Sequence, residues 1–298
     1  MVRTTFLALA GAASLLSTAA FAADLPPPLP PPVYRAPVTV EAGGGWYLRG
    51  DVGVGQQGFK TFEHHPTNSA FVWPESWRID QKDIGDAAFV GFGIGYSWNN
   101  WLRLDFTGEY RMKAKLKVLG SYTEFCPFGD RCFDLYDAHH AAWVALANVY
   151  LDLGTWWCLT PFIGAGFGGA WHKVTSLTDV GYIADGSSGF GYASTDSAGN
   201  SLNGSTTNSK WTFAWALHAG VAYTVTPTFK VELAYRYLNM GTVDTPIINC
   251  ASTGCQTLGP RAFYSLTQFD SHDLRIGMRW MLQPEPPPAP MYPLMRKG

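Results

Sequence analysis

Eight segments of the chain alternate apolar and polar side chains at every second position, the pattern of a β-strand whose two faces meet different surroundings. The clearest segment is 229–238, where aromatic and aliphatic residues alternate with Lys230, Glu232 and Arg236. The same alternation predicts strands over 46–55, 87–98, 101–111, 140–153, 161–171, 211–225 and 271–281. These segments are long enough to cross a bilayer as tilted strands, which takes about 9–11 residues.

The connections between these strands alternate between short and long. Residues 99–100, 154–160 and 226–228 form tight turns, whereas 56–86, 112–139, 172–210 and 239–270 form loops of roughly thirty residues or more. Loops in compact soluble domains usually have ~4–6 residues, whereas outer-membrane barrels combine short turns at one end with long loops at the other. Because lipid offers no partner for backbone polar groups, a spanning sheet must close on itself. We therefore predict an all-β fold, an eight-stranded antiparallel transmembrane up-and-down β-barrel with long extracellular loops.

Aromatic residues cluster where the two membrane interfaces would lie. Those at the turn end are Trp46, Tyr96, Trp98, Trp101, Tyr223, Phe229 and Trp280, and those at the loop end are Tyr110, Trp143, Trp171, Trp211 and Tyr237. Trp and Tyr favour the headgroup level because each joins an apolar body to a polar edge. The alternative is that these rings are scattered core residues.

The polar faces of the strands bring seven basic and six acidic side chains into the barrel lumen. They are Arg49, Arg103, Arg111, Lys230, Arg236, Arg275, Arg279, Asp51, Asp105, Glu109, Asp152, Glu232 and Asp273. An eight-stranded barrel is only just wide enough for side chains, and an unpaired buried charge is costly. We expect a paired charge network that fills the lumen. Glycines of the second and fifth strands would leave room for long Arg and Tyr side chains.

Composition agrees with a membrane barrel and excludes one class of partner. Charged residues make up 15% of the chain, below the roughly 25% of ordinary soluble domains. An apolar outer face would explain the deficit. The formal net charge of −2 argues against a nucleic-acid partner, which needs a concentrated basic surface.

Both ends of the chain differ from its body. Residues 1–22 have a basic start, an apolar stretch and an Ala20-Phe21-Ala22 cleavage motif, so we expect an export signal peptide. Residues 23–45 and 283–298 are Pro-rich and should be extended periplasmic spacers flanking the barrel at 46–282. These spacers are candidates for contact with peptidoglycan.

The five cysteines form two close pairs and one single residue. Because an exported chain meets an oxidising compartment, we expect local disulfides between Cys126 and Cys132 and between Cys250 and Cys255. A zinc site is the alternative, but it needs four ligands at short spacings. Cys158 has no evident partner.

Several motifs resemble the small opacity-type outer-membrane proteins and surface antigens of alphaproteobacteria, a family of eight-stranded barrels. The likeness lies in the Ala-Asp-Leu-Pro start at Ala23 and in the segments 46–50, 91–96, 148–154, 160–166, 232–237 and 272–277. The resemblance implies surface exposure in the cell outer membrane, envelope maintenance and, in some members, host contact or haem binding. Barrels of this kind usually end in an aromatic residue, whereas here Trp280 is followed by Met281, Leu282 and the Pro-rich tail. We expect the barrel-assembly machinery to read this internal last strand.

Function is predicted as an integral outer-membrane surface protein that contributes to envelope integrity and surface interaction. Its expected partners are outer-membrane lipid and lipopolysaccharide. The alternatives are a porin-like channel for small solutes and a loop-mediated adhesin or haem-binding protein, in which the segment 185–209 would take part.

The sequence offers few candidates for chemistry. Adjacent histidines at 64–65 and 139–140 point to opposite faces of a strand and make poor metal or haem sites, so we expect no metal and no cofactor. His218 falls on the lumen face. A lipid hydrolase, acyltransferase or protease would need a constellation such as Asp137 with His139, or Asp270, Ser271 and His272, at one rim. We expect no enzymatic activity.

Overall fold

The computed structural model describes residues 44–66, 74–124, 126, 131–182, 188–195, 207–250 and 262–282. Within these residues the regular structure is β-strand throughout, in the following elements. They are β1 (Gly45–Gly58), β2 (Thr61–Pro66), β3 (Arg78–Ile84), β4 (Ala87–Ser97), β5 (Leu102–Tyr122), β6 (Cys132–Asp152), β7 (Leu159–Tyr182), β8 (Ser188–Thr195), β9 (Thr207–Thr226), β10 (Phe229–Asn239), β11 (Val243–Asp244), β12 (Ile247–Cys250), β13 (Ala262–Thr267) and β14 (Asp270–Met281). In the described part of the chain, no helix is long and apolar enough to cross a bilayer.

Eight of these strands close into a ring. The antiparallel order is β1, β4, β5, β6, β7, β9, β10 and β14, and β14 pairs back with β1. Barrel strands that follow one another along the chain are neighbours in the ring. The predicted up-and-down barrel is therefore confirmed. We call the end with the tight turns the turn end.

Most of the long connection predicted over 112–139 is regular β-structure. β5 continues to Tyr122 and β6 begins at Cys132, and the two strands stay paired beyond the barrel. The other predicted long loops also contain strands: β2 and β3 in the first, β8 in the third, and β11, β12 and β13 in the last. In β5 the alternation continues past Arg111, but apolar instead of charged side chains then face inward.

A β-bulge in β5 is where this reversal occurs. The pairing with β6 shifts between Arg111 and Ala114, and Met112 and Lys113 both face outward. Before the bulge, charged residues such as Arg111 face inward; after it, Ala114 and Leu116 do. A bulge inserts an extra residue and so changes which face the following side chains occupy. β7 has a matching irregularity opposite β6, where Ser176 has a φ of 56°.

The strands therefore form two sections. The spanning section holds the eight barrel strands up to the ring Tyr110, Trp143, Trp171 and Trp211, which lie beside one another in register. The extension comprises β2, β3, β8, β11, β12 and β13 and the parts of β5, β6, β7 and β9 that continue past that ring. Apolar side chains of the spanning section, such as Phe106 and Leu233, face outward at about half exposure.

The extension has an apolar core of its own. Phe62 stacks on Tyr264 at a centroid distance of 4.4 Å and packs against Tyr136 at 5.4 Å. The Tyr136 and Tyr264 hydroxyls share a hydrogen bond of 2.7 Å, which satisfies both polar groups inside the core. Leu116 and Val118 complete this packing from β5.

Candidate functional site

The lumen at the turn end of the spanning section is centred on Arg49 of β1. Its guanidinium bonds Asp51 at 2.8 Å, Asp105 at 2.7 Å and Glu232 at 3.4 Å, so it joins three strands. It also donates to the Tyr150 hydroxyl at 3.1 Å. Since every one of these groups is buried, the ion pairs compensate one another in a region from which water is largely excluded.

Glu232 of β10 gathers three arginines. Arg103 lies 3.2 Å and Arg279 lies 3.3 Å from the same carboxylate that faces Arg49. Arg103 also pairs with Asp152 at 2.9 Å and stacks over the Tyr150 ring at 4.5 Å. A single carboxylate thus connects β1, β5, β10 and β14 across the lumen.

A second cluster lies nearer the extension. Asp273 of β14 accepts from Arg111 at 2.7 Å and from Arg236 at 2.6 Å. Both arginines also contact Glu109, at 3.1 Å and 2.8 Å respectively. The Phe89 ring completes the cluster, because each guanidinium carbon lies 5.0 Å from its centroid. This cluster fills its part of the lumen with charge pairs and one aromatic ring.

Small residues make room for the large side chains. A Cβ on Gly95 would overlap the ring of Tyr47, and a Cβ on Gly164 would overlap the ring of Tyr150. Tyr47 and Tyr150 are both fully buried. The glycine stripes expected to accommodate long side chains do so at these two positions.

A pair of histidines lies between the charge clusters and the apolar core. His140 Nε2 and His172 Nδ1 are 2.9 Å apart, and His172 Nε2 lies 3.0 Å from the Met240 carbonyl oxygen. The Phe269 ring packs 4.6 Å from His140. This buried contact was not predicted from the sequence, where His140 was considered only as part of a poor metal or haem site. The sequence did contain the signal for it, because His140 and His172 are even-numbered, like the inward-facing residues around them on β6 and β7.

The structure buries eleven of the thirteen predicted lumen residues and leaves Asp152 and Lys230 partly exposed. Arg275 reaches the Tyr150 hydroxyl at 3.3 Å. His218 lies on the lumen face as expected and is 3.1 Å from the Asn148 side-chain oxygen.

The sequence candidates for catalysis do not assemble. Ser271 donates to Asp273 at 2.6 Å inside the lumen, whereas His272 faces outward and bonds the Tyr235 hydroxyl at 2.6 Å. Asp137 pairs with Lys115 at 3.0 Å.

The three cysteines whose side chains are described lie at opposite ends of the barrel. A disulfide joins Cys126 and Cys132 beside the tip of the β5–β6 hairpin. Cys158 is a free, exposed thiol in the turn between β6 and β7. The side chain of Cys250 and all of Cys255 lie outside the described residues. The expected signal peptide at 1–22, residues 23–43 and the Pro-rich segment 283–298 also lie outside them.

Comparison with known proteins agrees with this geometry. The family described as outer membrane protein beta-barrel domain matches residues 8–251. An uncharacterised protein of Brucella abortus is 31% identical over 288 residues, covering 88% of this chain and 93% of the relative. The chain belongs to the outer-membrane β-barrel family. This membership places the protein in the cell outer membrane.

Other members and barrels of known structure are more distant. A candidate adhesin of Rickettsia prowazekii is 27% identical over 237 residues, covering 79% of this chain and 86% of the relative. The crystal structure of Neisserial surface protein A matches 80% of this chain and 98% of its own at 16% identity and a TM-score of 0.36. The outer-membrane protein OprG of Pseudomonas aeruginosa matches 80% of this chain and 97% of its own at 11% identity and a TM-score of 0.43.

Proposed function

We propose that this outer-membrane barrel is a closed anchor that displays a folded β-structure, the extension, on the cell surface. In this role it contributes to envelope integrity and to contacts at the surface. The observation that carries the proposal is the Asp273 cluster, in which Arg111 and Arg236 from two other strands meet one buried carboxylate. Such pairing holds strands together across the lumen and leaves little space for solutes.

Conductance tests the closed lumen. Purified protein inserted into a planar bilayer should give no steady single-channel openings. The porin-like alternative requires a continuous water-filled path through both charge clusters. Steady, large openings would reject the closed anchor in favour of that alternative.

Display at the surface is tested by labelling intact cells with a membrane-impermeant maleimide. Asp83 is an exposed residue of β3 in the extension, whereas Cys158 is exposed at the turn end. A thiol introduced by Asp83→Cys should react in intact cells. Cys158 should react only after the outer membrane is permeabilised. The reverse pattern would mean that the extension faces the periplasm.

Adhesion is the second candidate, and the name of the Rickettsia prowazekii relative favours it. The extension would then supply the binding surface on a rigid scaffold. Beads coated with the purified barrel should bind host cells more than beads coated with protein whose extension has been removed by limited proteolysis. Equal binding would reject adhesion through the extension.

A further inference from the structure

A cleft on the outer surface of the barrel lies at the boundary between the spanning section and the extension. It has a volume of about 190 Å³, and its walls include Tyr110, Trp143, Trp171, Lys113 and Lys173. Trp143 and Tyr110 pack at a centroid distance of 4.8 Å and form its membrane side. This is the level at which aromatic girdles meet lipid headgroups.

Two lysines face each other across this cleft. Lys173 is the register partner of Ala141 on β6, and Lys113 lies on the other side of β6 in the β5 bulge. Two strand spacings separate their backbones, which is about 10 Å. Lysine side chains are long enough for both ammonium groups to reach one small anion between them. The small side chain of Ala141 leaves this space open.

The bulge is what gives Lys113 this position. Strict alternation after Arg111 would turn Met112 outward and Lys113 into the lumen. Because β5 carries an extra residue here, Met112 and Lys113 both face outward. Bulges commonly re-aim a side chain next to a functional site.

The charge of the cleft is uncompensated within the described part of the protein. Nearby lysines are engaged elsewhere: Lys115 pairs with Asp137 at 3.0 Å and Lys210 with Asp244 at 2.7 Å. Lys113 and Lys173 make no ion pair with a described acidic side chain and are exposed. An anion at the membrane surface would complete the site.

We propose that this cleft binds a phosphate group of the phosphorylated glycolipid in the outer leaflet, with Lys113 and Lys173 on the phosphate and the aromatic residues against the adjoining lipid. The inference rests on the proposed function for its orientation, since the extension must face outward for this lipid to reach the cleft. The lipid-facing position favours a lipid headgroup over a soluble phosphate compound.

Native mass spectrometry of the full-length protein in detergent tests the site. The probe is bisphosphorylated lipid A, compared with the same lipid after removal of its phosphates. Lysines near an anionic membrane surface are attracted to its headgroups, so removing two of them weakens binding. The double variant Lys113→Gln with Lys173→Gln should therefore bind phosphorylated lipid A about tenfold or more weakly. The wild type should prefer the phosphorylated lipid, and the variant should lose that preference.

The control is Lys60→Gln with Lys117→Gln, which removes the same charge from exposed positions that do not line the cleft. It should keep wild-type affinity within about twofold. An unchanged preference in the cleft variant, or an equal loss in the control, would overturn the site. Displacement of lipid A by millimolar inorganic phosphate would overturn the assignment to lipid. Lipid binding by the purified protein does not depend on how the protein is oriented in cells. Labelling that places the extension in the periplasm would therefore reject the proposed function separately.

Discussion

The spanning section and the extension are built from some of the same strands, yet they bury opposite kinds of side chain. In β5, Arg103, Asp105 and Glu109 face inward below the aromatic girdle, whereas Leu116 and Val118 do so above it. The difference follows from the solvent. Lipid outside the spanning section forces its polar residues inward, whereas water outside the extension lets Lys115 and Lys117 stay outside and apolar residues form a core.

The two sections should therefore fail in different ways. The spanning section depends on charge pairs in which each removed partner leaves another charge buried. The extension depends on apolar contacts whose loss creates a cavity. Four changes test this contrast, in order of expected effect.

Removing a central carboxylate should have the largest effect. Asp273→Ala removes one of the two carboxylates that Arg111 and Arg236 share and leaves Glu109 to face both guanidinium groups. We therefore expect the free energy of unfolding to fall by about 3–5 kcal/mol. Urea unfolding in lipid vesicles, followed by Trp fluorescence, measures this loss. The matched control is Asp83→Ala at an exposed position in β3, which should change stability by less than about 0.5 kcal/mol. Equal effects would mean that the lumen pairing does not stabilise the barrel.

Truncating the centre of the extension should have a large but local effect. Phe62→Ala removes the stacking on Tyr264 and should destabilise the extension by about 3–5 kcal/mol. Amide hydrogen exchange should rise in β2 and β13 and stay slow in β1 and β14. Phe263→Ala, on the more exposed face of β13, should destabilise the extension less than Phe62→Ala does. Faster exchange in β1 and β14 would show that the two sections unfold as one unit.

Filling the space beside a lumen tyrosine should have an intermediate effect. Gly164→Ala places a methyl group against the Tyr150 ring and the Val149 carbonyl oxygen, and overpacking costs about 1–3 kcal/mol. In gel electrophoresis of samples heated to increasing temperatures, the band of the folded barrel should disappear at a lower temperature than in the wild type. Gly50→Ala is the control, because a Cβ there has no neighbour within 4 Å. A similar fall in both variants would argue against close packing of the lumen.

The smallest expected effect is a pH dependence confined to the extension. Burial raises the pKa of Asp134 to about 6, and burial together with the charge of Asp134 raises the pKa of Asp179 well above its usual value. Because the folded state favours the protonated acids, the extension is most stable below the unfolded pKa of about 3.9 and loses stability as pH rises through 6. Exchange in β6 and β7 near Asp134 should be slower at pH 5 than at pH 7.5, after correction for the intrinsic rate.

The Asp134→Asn variant should have a smaller pH dependence than the wild type. A decrease in protection on going from pH 7.5 to pH 5 would contradict the sign of this effect.

The barrel strands, their closure into a ring and their inward-facing charges were predictable from the sequence. The reason is that lipid requires the side chains of a spanning strand to alternate between apolar and polar with a strict period of two residues. The partners of each charge were not predictable, since register and barrel geometry decide which carboxylate Arg236 meets. The extension was missed for a physical reason. In β5 the alternation runs on into the extension, but there lysines such as Lys113, Lys115 and Lys117 take the outer positions. A strand predicted from apolar residues that face lipid therefore ends at Arg111.

The β-bulge in β5 could not be predicted from the periodicity of the sequence alone. A single extra residue at Met112 and Lys113 changes the inward-facing positions of β5 from odd-numbered to even-numbered residues. The sequence on either side of the bulge fits a strand equally well. His140 shows the converse case, since β6 has no such reversal and its inward parity runs unbroken from Asp152 to Tyr136.

The reversal of the two faces is tested most directly by a cysteine scan of β5 from Phe106 to Val118 in lipid vesicles, in a variant whose native cysteines are replaced by serine. We expect lipid-phase quenching of a label at Phe106 and Tyr110, and reaction with a water-soluble maleimide at Lys113, Lys115 and Lys117. Met112 and Lys113 should both be accessible from outside, and Ala114 should be protected. An unbroken alternation, with Lys113 protected and Ala114 accessible, would contradict the account.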